Sequence, residues 1–588
     1  MLKDKSVIIF ILRNSIYNLI LLVIIISQIK YASGPVIMPD EVGYWAAGAT
    51  FAGLNWSGVM YMSPYYGYGY GFILSILFNI FDDSVKMFQG AIVINAFLLV
   101  IAYWLSYCII KTLALDLSDR LKSLLSFSVT VYSFNIYYSQ NTEAEIIQIV
   151  LYLLLCLLVL QISTHKKKFE WRMIILSLTS VYMLACHLRN VCVVLVLCIT
   201  VFALCFTKKI SIKSFVCYMV SMFVCIVIFL KIRIYVNTNL YVVTNYTSEE
   251  VIKVQGALGI FSIEGLKSFL VNVCGRLFYI GCATFLIGYR GIEFILCGFV
   301  RTVVERIKKN KSDFDGQYIF QFFVLATLMS EIAIGSLSFL GNQNRIDGFL
   351  YGRYSEHVLI PILIYGVINI HKSFKFVKGQ LICIVVLLLQ AIFMHHIYVI
   401  NKTIESGTHS IAGILGFGLC NDLNEDSIQF IYSFGIAIVG VLVACIMCYM
   451  LQNKKVYMKF AGLCFAAFCW IICSVSALHN YFFEFLDYNR ELYSFAKEVS
   501  SQTVSPIYYV TDKGSEALIR TSSTWLMYRI QYFLANSDIM VIDINELSDQ
   551  DLIMAYKYST ENEKIISTSE YNIVIEGERL VLYQLNKK

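Results

Sequence analysis

Asp40 and Glu41 are adjacent carboxylates in the segment Pro39-Asp40-Glu41-Val42-Gly43-Tyr44-Trp45, which closely follows a long apolar run. A carboxylate beside a low-dielectric medium has its pKa raised toward the working range of a general base, and carboxylates in pairs hold divalent cations. The same residues suit a plainer role, Asp40 as an N-cap and Glu41 in the first turn of the next helix. A second acidic turn, Asn141-Thr142-Glu143-Ala144-Glu145, offers Glu143 or Glu145 to complete a metal site with Glu41 or to hold an acceptor hydroxyl. One of those two also suits a helix cap. Arg189, Arg345 and Arg353 are candidates for neutralising a departing phosphate, because a guanidinium grips phosphate bidentately; snorkelling to lipid headgroups is the bland reading. Tyr61, Tyr65, Tyr66, Tyr68 and Tyr70, in the run YMSPYYGYGYG, offer flat faces on which sugar rings pack, or form an interfacial aromatic belt.

The elements that must position these residues lie in a chain of 588 residues, 58% hydrophobic and only 15% charged. Soluble domains carry roughly 25% charged residues, so most of this chain does not face water. Five prolines exclude Pro-rich linkers, and many of the eighteen cysteines lie in apolar runs as small hydrophobes. The formal charge of +6 is scattered, which argues against nucleic acid as a partner. A membrane helix needs about 20 apolar residues. About thirteen segments qualify: 7–28, 87–110, 123–138, 143–162, 173–187, 191–207, 214–234, 278–300, 317–340, 354–371, 379–400, 427–451 and 460–477. The expected fold is an all-α polytopic membrane protein, spanning residues 1–480.

Positive charge gives that bundle a direction. With the N-terminus in the cytoplasm, seven inner segments hold 23 basic residues, including Lys166, Lys167 and Lys168, while the longer outer loops hold nine. The long loops 29–86, 235–277 and 401–426 then all fall outside, and loops of that length are usually functional. Within the first, 41–54 reads as a short helix and 71–81 as an apolar segment too short to cross. An odd number of spans also places the tail outside. Its periodicity predicts a small extracytoplasmic α/β domain over 481–588, with strands at 506–510 and 539–544, helices at 516–534 and 549–559, and a hairpin over 571–585. Inside the spans, Glu331 is a functional candidate, and Arg290 with Glu293 shares a helix face as a self-neutralising pair.

The Asp40-Glu41 pair, Tyr44 after it, the Glu143/Glu145 turn, the outer arginines and the Gly352-Arg353-Tyr354 segment with Pro361 together resemble the GT-C class of polyprenyl-phosphate-sugar glycosyltransferases, which includes protein O-mannosyltransferases and aminoarabinose transferases. The resemblance implies a multi-pass plasma-membrane enzyme that takes a sugar from a polyprenyl-phosphate donor to a glycan, lipid or protein acceptor at the outer surface. It implies Asp40 as the catalytic acidic residue with Glu41 its neighbour, Glu143 or Glu145 at the second acidic position, and Arg353 near the lipid phosphate, helped by Arg189 and Arg345. Tyr44, Tyr65, Tyr66 and Tyr68 are the expected sugar-facing aromatics, and a divalent cation held by Glu41 and Glu143 the expected cofactor. Two other readings compete. An O-antigen polymerase or ligase would rest on arginines and a histidine without paired carboxylates. A lipid-linked glycan flippase or transporter would show repeats, broken helices and a mid-membrane polar site.

Overall fold

The computed structural model describes residues 2–60, 67–114, 116–164, 170–241, 257–309, 316–340, 345–372, 376–403, 411–414, 424–502, 506–511, 522–547, 550–568 and 570–586. Among them, ten helices are long and apolar enough to cross a membrane, and three shorter apolar helices accompany them. In chain order the first part comprises α1 (Leu2–Ile26), α2 (Asp40–Phe51), α3 (Gly69–Ile80), α4 (Ser84–Leu113), α5 (Asp119–Thr130), α6 (Ser133–Tyr138), α7 (Glu145–Thr164), α8 (Arg172–Cys186), α9 (Val191–Phe206) and α10 (Ile212–Leu240). There follow α11 (Ile263–Ala283), α12 (Ile287–Lys309), α13 (Gly316–Ser338), α14 (Ile346–Phe349), α15 (Arg353–Glu356), α16 (Leu359–Lys372) and α17 (Phe376–Asn401). A helix over 425–452, with a π-helical turn at Ile431–Gly435, precedes the 47-residue α18 (Val456–Gln502). That last helix runs from the membrane-length segment into the tail without a break at residue 480.

The expected spans at 123–138 and 278–300 take a different form. Residues 123–138 are two helices, because the chain turns at Val131 and Tyr132. The Ser128 and Thr130 hydroxyls bond back to the carbonyls of Leu124 and Ser126, and the Asn135 amide takes the freed carbonyl of Thr130 at 3.0 Å. Residues 278–300 are the end of α11 and the start of α12, separated by Phe285 and Leu286 at φ of 49° and 61°. The membrane-length α11 was hidden from hydropathy by Glu264, Lys267, Asn272 and Arg276. Its Arg276 is buried all the same, donating to the Gly335 carbonyl at 2.8 Å beneath the Phe339 ring.

The first loop folds as its pattern predicts, into α2 and α3. These two helices touch backbone to backbone, since a Cβ on Gly71 would stand 2.7 Å from the Tyr44 carbonyl. The tail carries a five-stranded sheet: β1 (Ile507–Thr511), β2 (Ile539–Asp543), β3 (Leu552–Tyr556), β4 (Tyr571–Glu576) and β5 (Leu580–Leu585), in the order β2-β1-β3-β5-β4. β1 runs parallel to β2 and β3, while β5 runs antiparallel to β3 and β4. Two helices, α19 (Ser522–Phe533) and α20 (Thr560–Thr568), complete it. The helix expected over 549–559 is instead the strand β3, buried from Leu552 to Ala555. A continuous apolar run of that length serves a covered strand as well as a helix, and here both neighbouring strands take it up.

The tail is clamped onto the first loop. Trp56 donates its indole N–H to the Ala535 carbonyl at 2.9 Å, Tyr532 reaches the Ser84 carbonyl at 2.8 Å, and Arg529 bonds the Val36 carbonyl at 3.1 Å. At the sheet edge, the Val541 amide donates to the Gly58 carbonyl at 3.2 Å. A Cβ on Gly58 would stand 2.3 Å from the Ile539 carbonyl oxygen. Gly58→Val is therefore expected to push β2 off the loop at a cost of about 1–3 kcal/mol. Thermal unfolding with limited proteolysis of the tail reads this; an unaltered melting point and cleavage rate would contradict it.

Candidate active site

Four separate stretches of chain deliver the acidic cluster: the first turn of α2, the turn before α7, the short helix α15 and the 187–190 turn between α8 and α9. Arg353, buried at the start of α15, stands at the centre. Its Nη1 meets Asp40 at 2.5 Å, its Nη2 meets Glu143 at 2.6 Å and its Nε meets Glu145 at 2.7 Å. Burial acts against the guanidinium charge, but Glu143, Glu145 and Asp40 outweigh it and hold Arg353 well above its ordinary pKa. Glu145 is shared, lying 3.3 Å from Nη2 of Arg189. That same nitrogen reaches the Gln148 side chain at 3.2 Å, one turn along α7, and the Arg189 guanidinium stacks over the Tyr354 ring at 4.8 Å. Among the described residues, the Nε and Nη1 of Arg189 are buried without a hydrogen-bond partner.

The cluster is graded in exposure. The Glu143 and Glu145 side chains are sealed at 0%, whereas Asp40 keeps 20% of its side chain accessible. Burial pushes Glu143 well above the usual carboxylate range despite the opposing pull of Arg353. Asp40 is thus the carboxylate of the three that an incoming molecule meets. It is the first residue of α2 and not its N-cap: Pro39 holds that position, and the Asp40 carboxylate turns to Arg353. Tyr44, one turn further on and fully buried, has its phenol held protonated by burial and by Glu145.

Glu41 faces a different way. One carboxylate oxygen accepts the amides of Val36 and Ile37 at 2.7 and 2.8 Å, and the other accepts the amide and hydroxyl of Thr142, both at 2.7 Å. It staples the strand of chain before α2 to the second acidic turn, and Trp45 reinforces the link by donating to the Thr142 hydroxyl at 2.9 Å. Burial still raises its pKa against these four bonds. Asn95 holds the same turn by its amide, 2.8 Å from the Asn141 carbonyl, and receives the Tyr70 hydroxyl. Glu41 and Glu143 therefore do not form the expected cation-binding pair: one is saturated by protein donors and the other is paired with Arg353. Among the described residues, no group of three His, Cys, Asp or Glu side chains is arranged to hold a metal ion.

The other expected residues lie apart from this cluster. Tyr68 stacks on Phe229 at 5.8 Å and lines an apolar groove of about 410 Å3 between α8 and α10, with Phe51, Phe72, Tyr182 and Ile232 among its walls. Lys231 borders the groove, and a narrow cleft continues it past Tyr68 and Phe229 to Arg233, Ala47 and Leu188, the neighbour of Arg189. Arg345 is half-buried at the start of α14. Tyr61, Tyr65 and Tyr66 lie outside the described residues. Within the bundle, Arg290 pairs with Glu293, and Glu331 stands 3.5 Å from His357.

Sequence reading missed Glu356, three residues after Arg353. Its Oε1 accepts the hydroxyls of Tyr132 and Tyr279 at 2.7 and 2.6 Å, and Tyr279 in turn receives the amide of Gly413 at 2.8 Å. Burial pushes its carboxyl up to about 8 from 4.5, although both tyrosines favour the ionised form. Nothing in the spacing of these residues reveals the contact, which joins positions 77 and 224 apart.

No family model matches the sequence, and no curated protein matches it. Among solved structures, the chain is similar to ArnT from Cupriavidus metallidurans bound to undecaprenyl phosphate, with a TM-score of 0.50, 10% identity and 98% of each chain covered. ArnT in the apo state gives the same score and identity, covering 99% of this chain and 98% of that one. The Archaeoglobus fulgidus oligosaccharyltransferase in the apo form aligns at a TM-score of 0.43 and 11% identity, over 90% of this chain and 64% of that one. The chain has an ArnT-like fold over nearly its full length, from the helical bundle to the C-terminal sheet.

Two measurements probe the cluster. Arg353→Ala leaves buried carboxylates without their partner and is expected to cost about 3–5 kcal/mol, whereas in a Glu143→Gln, Glu145→Gln background the cost shrinks. Equal costs in both backgrounds, read by chemical unfolding, would contradict the coupling. For Glu356, a folded-state pKa raised above the unfolded one means that folding favours the protonated form. The contribution of Glu356 to stability is therefore greatest below about pH 4.5 and falls as pH rises toward about 8. Glu356→Gln keeps an acceptor for both tyrosines and is expected to remove that slope; parallel melting curves for both proteins across this window would refute it.

Proposed function

We propose that the protein is an integral membrane glycosyltransferase that moves a sugar from a polyprenyl-phosphate donor to a hydroxyl of a cell-surface glycan, lipid or protein. One observation carries the reading: a partly exposed carboxylate, Asp40, anchored in a sealed ionic cluster. The apolar groove that runs between α8 and α10 and continues toward Leu188 and Arg189 suits an isoprenoid chain leading to that cluster. The ArnT-like fold supports it, since ArnT was crystallised with undecaprenyl phosphate.

In this mechanism the isoprenoid of the donor lies in the groove and its phosphate meets Arg189, whose Nε and Nη1 await an acceptor, with Arg233 and Lys231 adding charge along the approach. Asp40 takes the proton of the acceptor hydroxyl as that oxygen attacks the anomeric carbon. The bond from that carbon to the phosphate oxygen breaks on the opposite face, the polyprenyl phosphate leaves with the electron pair, and the anomeric configuration inverts. Arg353 serves a different end from phosphate binding: three carboxylates occupy it, and it holds Asp40 in place and aimed. Glu41 fixes the loop that presents Asp40. In this reading the N-terminus lies in the cytoplasm and the site with the tail domain at the outer surface, which the basic-rich loops support.

With a polyprenyl-phosphate sugar as donor, Asp40→Asn is expected to lower transfer by about 10^2–10^4 while leaving donor binding intact. Arg189→Lys removes the planar guanidinium whose Nε and Nη1 are offered to the phosphate, and is expected to weaken both donor binding and turnover, by about 10^2–10^3 in turnover. Purified protein in lipid nanodiscs, assayed with labelled donor, separates the two effects. Wild-type turnover in Asp40→Asn would remove the base assignment, and unaltered donor binding in Arg189→Lys would remove the phosphate assignment.

A further inference from the structure

A second crevice opens where two membrane-length segments end, beside Gln140, the residue before the acidic turn. It has a volume of about 350 Å3 and lies between the end of α1 and the middle of α18, lined by Gln28, Lys30, Gln140, Val475 and His479 among others. Lys30 and His479 are exposed, and among the described residues no carboxylate lines the space. Lys30 rests its ammonium over the Tyr31 ring at 4.8 Å. The Gln140 amide bonds the Ile25 carbonyl at 3.0 Å, which ties the end of α1 to the turn that carries Glu143.

Below this polar mouth both helices present bare apolar rows. On α1, Leu19, Val23 and Ile26 are 61%, 56% and 39% exposed, and on α18, Phe468 and Ile472 are 59% and 50% exposed. Each row follows the spacing of one helix face and leads up to the crevice, where Val475 forms part of the wall. An apolar track for acyl chains beneath a mouth whose described polar lining comprises one ammonium, one imidazole, two amides, a hydroxyl and a phenol, with no carboxylate among them, matches one kind of molecule. We infer that this crevice binds a diacyl phospholipid with an anionic headgroup, its phosphate between Lys30 and His479 and its chains along α1 and α18.

The inference is independent of the transferase reading, because its readout is lipid retention and not activity. Purified protein is exchanged into mixed micelles of phosphatidylglycerol and phosphatidylcholine in equal amounts, and retained lipid is counted by native mass spectrometry. A preference for phosphatidylglycerol on the order of fivefold is expected, and it falls to near parity in Lys30→Gln, His479→Gln. Lys30→Arg, which keeps the charge, retains the preference and guards against a simple folding defect. Equal retention of the two lipids by the wild type, as snorkelling alone would give, overturns the proposal. So does an unchanged preference in the double variant, or displacement of the lipid by inorganic phosphate.

Discussion

A guanidinium group taken out of water needs acceptors or negative charge to offset its lost hydration, and the way Arg353 meets that need organises the membrane half of the molecule. Arg353 meets Asp40, Glu143 and Glu145 within 2.5–2.7 Å, and these partners come from α2 and from the turn into α7, both distant in the chain. None of the four is cheap to bury alone. The cluster forms only when α2, the 141–145 turn and α15 arrive together, which makes it a condition on the fold as well as a feature of it. Its net effect is to leave one carboxylate, Asp40, paired on one side and open to an incoming molecule on the other.

The remaining polar contacts around the site hold those elements in register. Glu41 spends both oxygens on Val36, Ile37 and Thr142, joining the first loop to the second acidic turn. The tail presses on the same loop from above, through Arg529 on Val36, Trp56 on Ala535 and the edge of Trp45 against Tyr532 at 5.2 Å. A tail domain that looks separable in sequence is thus part of the support beneath Asp40. Continuous helix from Val456 to Gln502 gives it a rigid connection to the bundle.

Much of this was legible in the residues. Hydropathy located nine of the ten membrane-length helices, and the pairing of Asp40-Glu41 with Glu143/Glu145, Arg189 and Arg353 named the members of the cluster. Roles were harder to read than membership. Adjacent in sequence, Asp40 and Glu41 leave α2 about 100° apart, so one reaches Arg353 and the other the backbone behind it, a division that depends on the loop's path. Arg353 read as a phosphate ligand because its carboxylate partners lie 208 residues or more away. The buried Arg276 masked α11, and β3 was mistaken for helix because short apolar runs carry no period.

The central claim is that Asp40 faces reacting atoms while Arg353 serves it from behind and Arg189 receives the phosphate. An experimental structure of the protein with polyprenyl phosphate bound measures this directly. The account predicts the phosphate within hydrogen-bond distance of Arg189, the isoprenoid between α8 and α10, and the Arg353 pairs with Asp40, Glu143 and Glu145 intact. A phosphate seated on Arg353 in place of its carboxylates, or a lipid carrier lodged away from Asp40 altogether, would contradict it.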